Sequence, residues 1–143
     1  MKFKSQICTT IEQSKKLLEL GLKKETADMC FFRSTDEDVE NPYTRLVVDD
    51  YILNSLESDD NIPAWSLHRL LSIMPTTFKY YNEEYGEECE RWLYIDMPKS
   101  VRYENFMMDW EVFNKNEELY DNIIDCIEYL VKNELLNEHF LNI

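Results

Sequence analysis

The chain has 143 residues, which is the size of one domain, and 44% of them are hydrophobic, which is enough for a packed core. The 29 acidic residues outnumber the 15 basic ones, and the net charge of −14 argues against a plain nucleic-acid-binding protein because phosphate contacts need a basic surface. With only two glycines the chain has no glycine-rich phosphate loop, and no apolar run approaches the roughly 20 residues of a membrane span.

We expect one domain over residues 1–143, and its charge is unevenly distributed. Residues 1–27 hold six lysines and three glutamates, a net charge of +3, whereas residues 28–143 have a net charge of −17. The basic segment is therefore expected to dock on acidic surface, either within the monomer or on a second copy. The sequence leaves both monomer and homodimer open.

The first predicted element is a helix over about Thr10–Leu20. Thr9 and Thr10 each stand three residues before a Glu or Gln, which is the spacing of a capping box, so the start is marked but the cap residue stays open. Gly21 is the expected C-terminal stop. A second short turn of helix is expected within Lys23–Met29.

The middle of the chain predicts extended segments followed by a helix. Cys30–Phe32 and Tyr43–Leu53 are expected to be extended or mixed. Proline lacks the backbone N–H, so Pro63 suits the start of the helix and Pro75 its end. The apolar residues between them follow the spacing of one helical face: Leu67, Leu70, Leu71 and Met74.

A β-hairpin is predicted next. Aromatic-rich runs, Phe78–Tyr81 and Glu90–Met97, flank an acidic turn, Asn82–Glu88, that contains Gly86. Val101–Phe113 alternates apolar with polar residues and is expected to be a third strand. These elements predict a small antiparallel meander.

The last predicted element is an amphipathic helix. Asn116 is the expected cap, and the two glutamates after it complement the helix dipole. Leu135 and Leu136 are expected to continue the apolar face, whose main residues are Ile123, Ile124, Ile127, Leu130 and Val131. Because helices and strands are segregated along the chain, the predicted class is α+β: an antiparallel sheet of about three strands with three main helices packed on one face.

Three blocks of the chain resemble a known group of proteins: Thr10–Met29, Ile62–Pro75 and Asn122–Leu136. The most specific piece is Pro63–Leu67, which reads Pro-Ala-Trp-Ser-Leu. Together the blocks resemble a family of small uncharacterised proteins encoded on prophages and conjugative elements of gut anaerobic bacteria. The resemblance implies a cytoplasmic accessory protein of a mobile element. It implies no activity, so no functional residue is transferred.

The four cysteines have no metal-binding or redox-motif spacing. They are Cys8, Cys30, Cys89 and Cys126, and all except Cys89, which lies between two glutamates, stand beside an apolar residue. We expect reduced thiols that mostly pack as small hydrophobic groups. No apolar stretch follows the first lysines, so no signal peptide is expected. These patterns favour a cytoplasmic protein.

Catalytic motifs are not found, and neither a cofactor nor a metal is expected. The two histidines, His68 and His139, are too few for a three-histidine or His-Glu-x-x-His site. His139 is expected to lie at a frayed terminus. An enzyme of unrecognised class stays an alternative, with a dyad of Cys89 or Cys30 with His68 as its candidate.

Exposed carboxylates are the candidate site. An acidic surface attracts cationic partners, and aromatic residues beside it suit basic side chains. We therefore expect a non-enzymatic interaction or regulatory protein that binds a basic protein partner and not nucleic acid or membrane. The alternative is a DNA mimic that inhibits a nucleic-acid-binding protein. The candidate partner-binding residues are Asp36, Glu37, Asp38, Asp49, Asp50, Asp59, Asp60, Glu83, Glu84, Glu87 and Glu88.

Overall fold

The structure is a computed structural model that describes residues 5–34, 42–46, 54–105 and 110–142. Its strands form a three-stranded and a four-stranded sheet, both antiparallel, and helices accompany them. The α+β class is therefore confirmed. The expected sheet of about three strands is wrong, because the first half of the chain builds a sheet of its own from short strands that are far apart in sequence.

The chain divides into two compact units, which are described separately. The first unit comprises Met1–Ser72 with Glu138–Ile143, and the second unit comprises Ile73–Asn137. A single domain over the whole chain stays a prediction. No helix formed by the described residues is long and apolar enough to cross a bilayer.

The first unit contains a sheet with strand order β2-β1-β3. Its regular elements are α1 (Ile11–Glu19), a 3₁₀ turn (Lys24–Thr26), β1 (Met29–Arg33), β2 (Tyr43–Leu46), β3 (Ile62–Ala64), α2 (Leu67–Ile73, whose last residue begins the second unit) and a second 3₁₀ turn (Glu138–Phe140). Strand β1 is central, and alternate side chains point to opposite faces of a strand. Met29 and Phe31 pack in one apolar cluster, whereas Cys30 packs in another with Leu56.

Thr10 is the residue that caps α1. Its hydroxyl accepts the backbone N–H of Gln13 at 3.1 Å, and the Gln13 side chain accepts the N–H of Thr10 at 3.0 Å, which is a complete capping box. Gly21 follows the helix with a φ of +97°, a conformation that glycine adopts without strain. The predicted start and stop are both confirmed.

The predicted helix over residues 63–75 is wrong at its start. Pro63 lies in β3, opposite Cys30, and the helix α2 begins only at Leu67. Because β3 is an edge strand, a residue without an N–H is tolerated there. The actual cap of α2 is Ser66, whose hydroxyl accepts the N–H of Arg69 at 3.2 Å.

Trp65 ties three segments of the first unit together. Its backbone N–H donates to the Thr9 hydroxyl at 3.1 Å, and its indole N–H donates to the Thr26 hydroxyl at 2.9 Å. The adjacent Ser66 donates its backbone N–H to Asp28 at 2.8 Å and its hydroxyl to the same carboxylate. The Pro-Ala-Trp-Ser-Leu piece therefore has a structural role in this unit.

The C-terminal segment is hydrogen-bonded to the residues around Gly21. The N–H of Asn142 donates to the carbonyl of Gly21 at 2.7 Å, and the N–H of Lys23 donates to the carbonyl of Phe140 at 2.8 Å. The expected fraying around His139 is therefore wrong, because backbone pairing holds the tail on both sides of this residue.

The second unit contains a sheet with strand order β4-β5-β6-β7 and one long helix. Its elements are β4 (Thr77–Asn82), β5 (Glu87–Asp96), β6 (Ser100–Glu104), β7 (Trp110–Phe113) and α3 (Leu119–Lys132). The hairpin prediction is confirmed. The single strand expected over Val101–Phe113 is wrong, since β6 and β7 are two strands that pair antiparallel with each other.

The helix α3 buries the predicted apolar face. Ile123, Ile127 and Leu130 are completely buried, and the helix packs on β6 and β7. The cap prediction is wrong, because Glu118 is the cap residue and makes no side-chain cap bond. The helix also stops at Lys132, so it does not continue to Leu135 as expected.

Candidate functional site

Four of the predicted partner-binding glutamates lie together at the β4–β5 turn. Asn82 organises this turn: its side-chain oxygen accepts the N–H of Glu84 at 2.9 Å and of Tyr85 at 3.2 Å. The N–H of Gly86, whose φ is +65°, donates to the Asn82 carbonyl at 2.8 Å. The turn is therefore held by Asn82 and the backbone. The exposed carboxylates that it presents to solvent, called the turn glutamates below, are Glu83, Glu84, Glu87 and Glu88.

The other predicted acidic residues lie in the first unit or outside the described residues. Asp59 and Asp60 are exposed and belong to the first unit. Asp60 lies 3.7 Å from Arg33, and because both side chains are exposed this ion pair stabilises little. The remaining candidates lie outside the described residues: Asp36, Glu37, Asp38, Asp49 and Asp50.

The four-stranded sheet has two chemically different faces. The face that packs on α3, called the inner face, includes the buried Val101 and Tyr103, and it includes Phe113, whose ring lies 5.5 Å from that of Tyr129 in α3. Residues paired directly across antiparallel strands share a face, so the strand register assigns the opposite set. This opposite face, called the outer face, consists of Thr77, Lys79, Tyr81, Glu88, Glu90, Trp92, Tyr94, Asp96, Ser100, Arg102, Glu104, Trp110 and Val112.

Large aromatic side chains on the outer face are exposed. Tyr81 is 65% exposed, Tyr94 39% and Trp110 47%. Trp92 lies between them on β5 and is half-buried. Exposed rings grouped on one sheet face are typical of a contact surface, whereas single exposed apolar residues are ordinary.

The outer face is also acidic. Its described residues include two cations and four carboxylates, for a net charge of −2. Lys79 lies 3.4 Å from Glu88, and both side chains are exposed. The face is therefore a mixture of aromatic rings and carboxylates, next to the turn glutamates.

Arg102 shows how this face holds a guanidinium group. Its guanidinium carbon lies 5.0 Å from the centre of the Tyr94 ring. Its Nε donates to Glu104 at 2.8 Å, and its other end pairs with Asp96. An aromatic ring beneath and carboxylates beside a guanidinium combine cation–π attraction with charge-assisted hydrogen bonds.

A second arginine is held in a similar way on the inner face. Arg91 is buried, its guanidinium carbon lies 4.0 Å from the centre of the Tyr80 ring, and its terminal nitrogen lies 4.0 Å from Glu111. The pKa of the nearby Tyr129 phenol is raised, mainly by burial and more weakly by the Glu111 carboxylate. Arg91 acts in the opposite direction and lowers this pKa. The buried side chain of Arg91 is therefore part of the core of this unit and not of the exposed outer face.

Of the residues in the enzyme alternative, Cys30 and His68 lie in the first unit. Cys30 is buried in β1, and burial raises the pKa of its thiol, which disfavours the thiolate that a nucleophile needs. His68 is exposed on α2, and Cys89 belongs to the second unit. In the described part of the chain no hydrogen bond links His68 to Cys30.

Two lysines of the basic N-terminal segment bind backbone carbonyl groups. Lys23 donates to the carbonyl of His139 at 2.9 Å, and Lys24 donates to that of Leu56 at 2.6 Å. Lys23 and His139 also line an open cavity of about 430 Å³ together with Asn142. Docking of this segment on acidic side chains of the chain or of a second copy stays a prediction.

The turn glutamates were named as candidates from the sequence, but neither the aromatic residues nor the other charged residues of the outer face were named. Arg102, Asp96 and Glu104 were not among the candidates. The alternation along β5 contained a usable pattern, because Glu90, Trp92, Tyr94 and Asp96 are two residues apart and must share a face. Which residues of β6 and β7 join them depends on the register, which the sequence did not reveal.

Within residues 5–34, 42–46, 54–105 and 110–142, no group of three or more His, Cys, Asp or Glu side chains is arranged to hold a metal ion. Comparison of the chain with protein-family models, with curated proteins and with solved structures found no match.

Proposed function

We propose that the protein is a non-enzymatic interaction module that binds a basic protein partner through the turn glutamates and the adjoining outer face. The observation that supports this most directly is the turn itself. Its backbone is organised by Asn82, its four glutamates are exposed, and two exposed tyrosines, Tyr81 and Tyr85, lie beside them. Carboxylates beside aromatic rings provide both of the interactions that cationic side chains make.

The excess of carboxylates favours a cationic partner over nucleic acid. A chain with a net charge of −14 repels phosphate at long range and steers basic molecules toward it. The DNA-mimic alternative requires a continuous row of carboxylates, whereas the outer face mixes them with rings and two cations. A partner with both basic and apolar side chains fits this mixture better. A regulatory role on a mobile element, in the cytoplasm, stays part of the proposal through the sequence resemblance.

The test is a binding titration with defined polycations. Fluorescently labelled poly-lysine and poly-arginine, with poly-glutamate and duplex DNA as opposite-charge controls, are titrated with the protein in about 0.05 M and 0.3 M salt. We expect the polycations to bind at low salt and to weaken strongly at high salt, because exposed charges are screened beyond about 10 Å at 0.1 M. Binding of DNA at low salt, or equal affinity for poly-glutamate, would contradict the proposal.

Two matched variants, a turn variant and a control variant, test whether the turn is the binding surface. Each removes four negative charges, so a general charge effect would weaken polycation binding equally in both. We expect the turn variant to bind polycations about tenfold more weakly than the control variant, given up to about 1 kcal/mol for each exposed pair. The turn variant is E83Q/E84Q/E87Q/E88Q, and the control variant is E19Q/E117Q/E118Q/E138Q, all at exposed positions. Equal loss in the two variants would show that the turn is not the binding surface.

A further inference from the structure

Arg102 contacts an aromatic ring and carboxylates, and this combination of groups recurs on the outer face. The guanidinium of Arg102 rests over Tyr94 and is flanked by carboxylates of Asp96 and Glu104. On the inner face Arg91 likewise rests over Tyr80 beside a carboxylate. The sheet thus holds an arginine in this way once on each face.

Two pairs on the outer face place an exposed ring beside a carboxylate that already contacts one cation of the face, Glu88 with Lys79 and Glu104 with Arg102. Tyr81 pairs directly with Glu88 across β4 and β5, and Trp110 pairs directly with Glu104 across β6 and β7. Side chains paired in this manner have Cβ atoms about 5 Å apart, which places ring and carboxylate around one small volume. Both rings are largely exposed, at 65% and 47%.

We propose that the outer face is the docking site for an extended, arginine-bearing segment of the basic partner, with its arginines at the Tyr81–Glu88 and Trp110–Glu104 pairs. This inference rests on the proposed function and adds the chemistry of the segment and the place where it binds. Arginine is favoured over lysine because its planar guanidinium stacks on a ring and still donates in its own plane to carboxylates. Arg102 already combines a ring contact with a hydrogen bond to a carboxylate.

The charge of the outer face favours a peptide over a single-stranded nucleic acid as its ligand. Rings on an open sheet can also stack bases, but such surfaces combine the rings with a cationic groove for the phosphates. Here the face has a net charge of −2, and its cations Lys79 and Arg102 are already paired with carboxylates. A phosphate backbone would meet uncompensated negative charge, whereas arginine side chains would neutralise it.

The dimensions of the face define the segment. Along the strands, the two ring–carboxylate pairs are offset by four residues, or about 14 Å, and across the sheet by two strand spacings, or about 10 Å. An extended peptide rises about 3.4 Å per residue, so two arginines four residues apart, each with a long side chain, span this diagonal. Because side chains of an extended peptide alternate between its two sides, two arginines four residues apart point to the same side.

Nuclear magnetic resonance of the tryptophan indole N–H groups tests the proposal. The probes are a nine-residue Gly/Ser peptide with two arginines four residues apart, the same peptide with two lysines, and a thymidine oligonucleotide. We expect the arginine peptide to shift the indole resonances of Trp92 and Trp110 on the outer face. Trp65 is the internal control, since it is completely buried in the first unit and bonded to Thr26.

Variants separate the rings from the charges. We expect Trp110→Leu and Tyr81→Leu each to weaken binding of the arginine peptide about two- to fivefold, which is the range of exposed cation–π contacts, and to weaken binding of the lysine peptide less. The matched control is Ile7→Ala, which removes an exposed apolar side chain from the first unit and not from the outer face or the turn. It should leave the affinity at the wild-type value. Circular dichroism melting of each variant confirms that it is folded.

The outcomes distinguish this inference from the proposed function. If the peptide binds and the turn variant loses that binding, but Trp110 does not shift and Trp110→Leu binds normally, this inference is wrong and the proposed function stands. If neither the peptides nor the polycations bind, both are wrong. If the thymidine oligonucleotide shifts Trp110 and the peptides do not, the outer face is a nucleic-acid surface and both proposals are overturned.

Discussion

Asn122, on α3, accepts two hydrogen bonds from Asn116 through one side-chain oxygen, from the backbone N–H at 2.9 Å and from the side-chain nitrogen at 3.0 Å. Its own side-chain nitrogen donates to the carbonyl groups of Lys99 at 2.8 Å and Asn116 at 3.1 Å. Asn122 is completely buried, and its amide joins α3 to the loop before it and to the β5–β6 turn.

The first prediction follows from this amide. We expect Asn122→Ala to lower the free energy of unfolding by about 2–4 kcal/mol, because it removes a completely buried side chain and leaves the N–H of Asn116 and the carbonyl groups of Lys99 and Asn116, all partly buried, without these partners. Asn133→Ala is the control, since Asn133 is exposed at the end of the same helix and its side-chain nitrogen donates to the carbonyl of Tyr129. Urea denaturation measures both, and equal values for the two variants would contradict the prediction.

The second prediction concerns the apolar face of α3. Ile127 is completely buried, so Ile127→Ala is expected to cost about 2–5 kcal/mol of stability through lost burial and the cavity left behind. Val131, one turn further on, is half-buried, and Val131→Ala should cost clearly less. An unchanged melting temperature for Ile127→Ala would show that this face is not part of the core.

The third prediction concerns the thiols. All four cysteines are free, and three of them, Cys8, Cys30 and Cys126, are buried. We expect a thiol reagent to label Cys89 rapidly in the native protein and all four after denaturation without reductant. Mass spectrometry counts the labels, and two fewer labels after denaturation would indicate a disulfide.

The fourth prediction is a loss of stability in alkali that depends on Tyr103. Burial raises the pKa of this phenol, which donates to the carbonyl of Pro75 at 2.6 Å, well above its ordinary value of 10.0. Above pH 10 the unfolded chain therefore loses the proton while the folded chain keeps it, so stability falls as pH rises, by up to about 1.4 kcal/mol per pH unit.

The measurement compares Tyr103→Phe with wild type between pH 10 and 12. The variant lacks the titrating phenol, so its free energy of unfolding should fall less steeply over this range, although it is less stable at neutral pH for want of the hydrogen bond. Parallel curves for the two proteins would mean that the folded state does not hold this proton more tightly than the unfolded chain.

Much of the local structure was predictable because it depends on neighbours in sequence. The capping box at Thr10, the stop at Gly21 and the turn containing Gly86 all involve residues within four positions of one another. The buried face of α3 follows from the helical period alone. The turn glutamates were predicted for the same reason, since a polar run with a glycine between two aromatic strands is a local pattern.

The errors occurred where a distant partner overrides a local preference. Pro63 suits a helix start in isolation, but pairing with Cys30 places it in an edge strand. Asn116 suits a helix cap, but the side chain of Asn122 takes its N–H groups and the cap falls at Glu118. Hydrogen-bond partners of this kind are chosen by packing, which a single sequence does not reveal.

The outer face shows most clearly which features follow from the local sequence and which depend on distant partners. The alternation along β5 was enough to place Glu90, Trp92 and Tyr94 on one side of a strand, because the side-chain period of a strand is fixed at two. It could not say which side would pack on α3, nor that Arg102 and Trp110 would join from other strands. Those facts depend on register, and register is set by which side chains the helix buries, since a shift of one residue would exchange the two faces.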